Sequence, residues 1–238
     1  MDRSSMTPAS AFATTTVATS ERVTAFLRKV YGWMFVGLGI TASVAFAVAG
    51  TPGAAQAIFG NPILRWGLIL APFGLVLLLS FRVDKLSPTA ASAIFVVYAA
   101  LNGALFSTLL LAFTGASIAT TFVVTAGMFG ALALYGTTTR RSLAGVGHFV
   151  FMGLIGLLLA MFVGIFWHSN ALQFVISVVG VIVFTGLTAW DAQRLKAMAA
   201  ATPEGRAGSY AIVGALALYL DFINLFLFLL RFFGNRRD

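Results

Sequence analysis

A chain of 238 residues that is 60% hydrophobic and only 9% charged is not a water-soluble domain, in which about a quarter of the residues carry charge. Its mean hydropathy of +0.97 makes the useful count one of membrane spans, each needing about 20 apolar residues. The absence of cysteine excludes disulfides, thiolate metal sites and a cysteine nucleophile, and in so apolar a chain the net charge of +8 reads as loop charge that sets orientation, not as a nucleic-acid surface.

The N-terminal segment 1–25 is rich in Ser, Thr and Ala without an apolar period, so it is expected to be a disordered tail, leaving 26–238 as the transmembrane domain. Apolar segments follow at 31–50, 63–81, 89–113, 117–136, 143–167, 170–191 and 210–231. Arg28 and Lys29 before the first, with a cleavage-like Ala-Val-Ala at 47–49, resemble a signal peptide. The distance of the basic pair from the N-terminus and the six spans that follow favour an uncleaved helix.

Basic residues alternate along the chain. Arg22, Arg28 and Lys29 precede the first span, Arg82 and Lys85 follow the second, Arg140 and Arg141 the fourth, and Arg194, Lys196 and Arg206 the sixth. Loops 51–62, 113–116 and 167–170 carry no Lys, Arg, Asp or Glu. The positive-inside rule therefore puts the N-terminus and the basic loops in the cytoplasm. Trp33, Trp66, Trp167 and Trp190 fall near span ends, where interfacial rings sit. Seven crossings place the C-terminal Arg231, Arg236 and Arg237 outside, against the rule. A re-entrant seventh segment would resolve this, but 210–231 is long enough to span, and seven crossings are preferred.

Within the fifth span, Gly156, Ala160 and Gly164 recur every four residues, as in a small-residue packing ridge. His148 and His168 stand about 20 residues apart, roughly 30 Å along a helix, and cannot share a metal. In the sixth span Asn170, Gln173, Ser177, Gly180, Phe184, Thr188 and Asp191 form one stripe, and in the seventh Gly214, Ala217, Leu218, Asp221, Asn224, Leu225 and Phe228 share a face. A carboxylate at the bilayer centre costs about 2.5–3.5 kcal/mol on insertion scales, so it normally faces the bundle interior with a partner. Asp191 is the natural partner for Asp221. The plainer alternatives are a packing hydrogen bond from Asp221 to Asn224, and an Asp191 charge neutralised by Arg194.

The segments Thr-Ala-Trp-Asp-Ala-Gln-Arg-Leu-Lys at 188–196 and Ala-Leu-Ala-Leu-Tyr-Leu-Asp-Phe-Ile-Asn at 215–224, continuing to Gly234, resemble the end of the Bax inhibitor-1 (transmembrane Bax inhibitor motif) family, bacterial branch. The resemblance extends over 22–238 in span number and loop charge. It implies an all-α integral membrane protein of the bacterial cell inner membrane, with six helices around a central C-terminal helix. It also implies a hydrogen-bonded, pH-sensing pair of Asp191 and Asp221 that controls a calcium leak, with a basic latch that falls on Arg82. The linker 197–209 is longer than in compact members.

Two carboxyls in contact cannot both ionise cheaply, so they titrate as a pair. Ionised, they offer calcium hard oxygen ligands, but two carboxylates fall short of its usual six to eight. Asp191 and Asp221 would be transient ligands, with Asn224, Thr188, water or backbone oxygens supporting them. Three function classes follow. The preferred one is a pH-sensitive calcium or cation leak channel: not an enzyme, without a cofactor, monomeric in the lipid bilayer, with no nucleic-acid partner and with calcium as permeant ion. The alternative is a regulator that binds partner membrane proteins without transport of its own. An intramembrane aspartyl protease would also need two acids, but Leu218-Tyr219-Leu220 stands where a Gly-x-Gly would precede Asp221.

Overall fold

In the computed structural model of the chain, residues 8–167 and 169–237 are described, the side chains of 8–19 and of Glu204 excepted. The apolar segments fold as helices: α1 (Pro8–Gly50), α2 (Ala54–Gly60), α3 (Pro62–Arg82), α4 (Pro88–Ala112), α5 (Gly115–Thr138), α6 (Ala144–Phe166), α7 (Asn170–Ala201) and α8 (Ala207–Phe233). All but the seven-residue α2 are long and apolar enough to cross a membrane. The protein is an all-α integral membrane protein.

Local chemistry sets the helix starts. Asn61 and Ser87 accept hydrogen bonds from the first free backbone N–H groups of α3 and α4, with Pro62 and Pro88 beside them at first helical positions, where a missing N–H costs nothing. Thr114 and Ser169 cap α5 and α7 in the same way. α1 is helical from Pro8, ahead of the boundary at 25 read from composition. The Ala, Ser and Thr that follow Pro8 include no helix breaker. Residues 1–7 of the expected tail lie outside the described residues.

α8 is the centre. Of its most apolar stretch 72% is buried, against at most 39% in any other span. It packs against α1, α4, α5 and α7, while α3 leans mainly on α4 and α6 on α7. Tyr219 anchors the largest cluster, edge-on to Phe95 at 5.8 Å and to Tyr98 at 5.6 Å between ring centroids. Its hydroxyl lies 2.7 Å from Thr41 Oγ1, and Thr41 in turn donates to the Ala99 carbonyl. α8 is one unbroken helix of 27 residues, about 40 Å long, and has no re-entrant break.

Two expectations need correction. The ridge Gly156–Ala160–Gly164 does not pack as a unit: Gly156 is exposed with open space where a side chain would stand. The face of α6 that meets α7 runs through Gly147, Val150, Leu157 and Gly164. A strict four-residue repeat drifts about 40° per step around a helix, whereas alternating steps of three and four stay on one side. At Gly147 a Cβ would overlap the Trp190 ring, which fixes Trp190 in the bundle. The second correction concerns α7, which continues to Ala201, ten residues beyond Asp191. Met198 and the three alanines after it favour helix, and the residue before Pro203 ends it, so much of the expected linker is helical.

Candidate functional site

α7 and α8 run antiparallel, and three contacts give their register. Leu195 fills the space beside Gly214, the Phe228 ring lies against Gly180, and Arg231 Nη1 donates to Gln173 Oε1 at 3.1 Å. This register sets Asp191 level with Ala217 and Asp221 level with Thr188. The two acids are therefore neighbours about one turn apart along the seam, and no hydrogen bond joins them among the described residues. They are near enough for the charge of Asp191 to act on Asp221.

Their surroundings differ. Asp221 is 4% exposed, and its Oδ2 is buried without a hydrogen-bond partner. Asp191 is half-buried and lines a cavity of about 70 Å³ with Arg194 and Met198 of α7 and Val213 and Ala217 of α8, enough for a few water molecules. Arg194 is exposed at its mouth, its Cζ 5.6 Å from the centroid of the Trp190 ring.

The polar residues expected to support the pair serve their own helices. Thr188 Oγ1 donates to the Phe184 carbonyl at 2.7 Å and Asn224 Nδ2 to the Leu220 carbonyl at 2.8 Å. Asn224 therefore makes no packing hydrogen bond to Asp221. Both bonds are of the four-residue type that polar side chains use inside helices, and among the described residues no side chain donates to either aspartate. Arg82 stands exposed at the end of α3, and among the described residues its side chain contacts neither acid. Two carboxylates make no metal cage, and no group of three or more His, Cys, Asp or Glu converges among the described residues. His148 bonds the Ala144 carbonyl, and His168 lies outside the described residues.

Two arrangements at this end of the bundle escape sequence reasoning. Asp84, two residues after Arg82, pairs with Arg206 at 2.9 Å and accepts from the Tyr210 hydroxyl at 2.8 Å, tying the α3–α4 turn to the start of α8. Gln193 accepts from the Leu143 N–H and donates to the Arg141 carbonyl, while Lys196 donates to the Thr137 carbonyl. α7 thus holds the α5–α6 turn from below. A lone acid in a basic loop was the signal for Asp84; Gln193 and Lys196 gave none, because their partners are backbone atoms.

Comparison with known proteins agrees with this architecture. An Escherichia coli protein described as "Inner membrane protein YbhL" is 49% identical over 215 residues, covering 89% of this chain and 92% of the relative. An uncharacterized protein of Borreliella burgdorferi is 42% identical over 215 residues, 90% of this chain and 93% of its own length. An uncharacterized membrane protein of Streptococcus pyogenes is 34% identical over 212 residues, 88% of this chain and 92% of its own. The family model described as "Inhibitor of apoptosis-promoting Bax1" matches residues 23–238. From its first membrane-spanning helix to its C-terminus, the chain belongs to the Bax inhibitor-1 family.

Proposed function

We propose that the protein is a pH-sensitive cation leak, with calcium as the permeant ion, controlled by Asp191 and Asp221 where α7 meets α8. The observation that carries this reading is the Asp221 carboxyl, buried in the central helix with an oxygen that no protein donor reaches. An unpartnered buried carboxyl costs free energy. It is retained where a proton, water or cation completes its bonding in at least one working state. The cavity that Asp191 and Arg194 line supplies access one turn away, and two neighbouring acids titrate jointly. Protonated, the site is neutral and attracts cations poorly; on losing protons it becomes anionic and offers calcium hard oxygens.

The basic loops favour a cytoplasmic N-terminus and a cytoplasmic Asp84–Arg206 end, and the seven spans with the E. coli relative support placement in a bacterial inner membrane. Arg194 lines the cavity beside Asp191. Arg82 at the end of α3 acts on orientation.

The test is dye-reported calcium flux in liposomes across a pH series that brackets neutrality, because two neighbouring acids titrate jointly. Wild type should show a pH-dependent flux, and Asp191→Asn or Asp221→Asn should flatten the profile. Arg194→Gln should move the profile, and Arg82→Gln should leave it in place. Identical profiles in wild type and both Asn variants would refute the shared titration. Absence of flux from folded wild type would favour a regulator that works by binding other membrane proteins.

A further inference from the structure

Beyond the carboxyl level, α7 and α8 are held together by an aromatic contact. Phe228 lies two turns past Asp221, about 10 Å along α8. Its ring takes the space that a side chain would need at Gly180: a Cβ there would stand 2.6 Å from Cγ and Cδ1 and 2.7 Å from Cδ2. Phe184, one turn along α7, stacks on the same ring, with centroids 5.8 Å apart and planes at 27°. Both rings are 6% exposed. Along α7 the hydroxyls of Ser177 and Thr188 are bonded to carbonyls of their own helix, and Thr185, beside Phe184, is half-buried. Past this level Arg231 meets Gln173 at the opposite end of the bundle.

We propose that Phe228, seated at Gly180 and covered by Phe184, is a hydrophobic gate that separates the Asp191–Asp221 site from the end of the bundle marked by Arg231 and Gln173. That calcium is what the gate holds back rests on the leak reading; the barrier itself rests on the packing. An apolar constriction excludes a hydrated ion, because no polar atom replaces the lost water. Glycine at 180 is what allows the seat: the ring drops between the helices without forcing their backbones apart. Opening requires the ring to leave a groove that has no Cβ of its own, so the change is local to one side chain and its stacking partner.

The chain has no cysteine, so a single Ala217→Cys reports access to the cavity beside Asp191. A membrane-impermeant thiol reagent is applied to either side of sealed vesicles of known orientation. The parent should be labelled from the side of Lys85 and hardly at all from the side of Asn235. Phe228→Ala should raise the rate from the Asn235 side about tenfold or more, as when a minor open state rises from about 1% to about 10% of the population. Phe228→Leu, which keeps an apolar plug, should stay close to the parent.

Gly180→Ala carries the test if Phe228→Ala does not fold, because its methyl occupies the seat and must displace the ring; it should open the same side. Labelling of the parent at equal rates from both sides overturns the gate, as does an unchanged rate in folded Gly180→Ala. Calcium flux in the same vesicles separates the two ideas. Flux that rises with labelling supports both, whereas labelling that responds without flux in any variant supports the gate and overturns the leak.

Discussion

Asp221 and Tyr219 sit two residues apart on the same buried helix, and they show the two ways a polar group survives there. Thr41 spends its hydroxyl hydrogen on the Ala99 carbonyl, so Tyr219 donates to Thr41 Oγ1, and no hydrogen in the chain is left over. Tyr219→Phe should cost about 0.5–1.5 kcal/mol, the worth of one hydrogen bond, while Thr41→Ala should cost more, about 1–3 kcal/mol, because it strands a buried hydroxyl. Melting in detergent gives the order. Asp221 behaves in the opposite sense: its oxygen has no donor to lose, so Asp221→Leu should leave the melting temperature unchanged or raised, as at sites where function costs stability. A marked fall would make Asp221 a packing residue. Both aspartates were legible in the sequence because an acid in an apolar stripe is rare and costly. The Thr41 contact was not: its partner is 178 positions away, and nothing in the spacing of either residue points across the bundle. The one-turn offset between the acids was equally invisible, since helix register depends on packing contacts and not on helix periodicity.

The number and order of the seven spans followed from hydropathy, but the start of α1, the end of α7 and the face that each helix buries did not. For a soluble helix the polar side identifies the surface; in a bilayer both the lipid-facing and the buried sides are apolar, and only small or polar residues distinguish them. That signal read correctly in α7, where Ser177, Gly180, Phe184 and Thr188 are buried, and misled in α6, where Gly156 faces outward. Gly156→Leu should therefore be tolerated with little change in melting. Gly136→Ala should destabilise by about 1–3 kcal/mol, because an added Cβ overlaps the backbone carbonyl of Ala189 on α7, which has no rotamer to change. Equal melting of these two variants would contradict the packing described for α5, α6 and α7. The Asp84–Arg206 pair is exposed on both partners and is worth about 0–1 kcal/mol. Its effect is to position the turn it ties, with little gain in stability.

For the whole molecule, an odd number of spans puts the two termini on opposite sides. Single cysteines replacing Lys85 and Asn235 should label from opposite faces of sealed vesicles; labelling from one face would remove a crossing. The basic C-terminal residues that broke the charge rule are held by structure. Arg236 pairs with Phe113 in an antiparallel bridge, its guanidinium Cζ 6.0 Å from that ring's centroid, and Arg237 and Asn235 exchange backbone bonds with Ala112 and Thr114. The placement of α8 has a consequence for biosynthesis. The helix that fills the middle of the bundle is also the last of the seven spans to leave the ribosome, so the earlier six enter the bilayer around an interior that does not yet exist. Until α8 arrives, Thr41, Tyr98 and Asn102, buried in the finished bundle, must face lipid or one another. Closure of the bundle is then a single late event, completed when the tail ties itself to the α4–α5 turn, and quality-control proteases would see an unfinished shell until that moment.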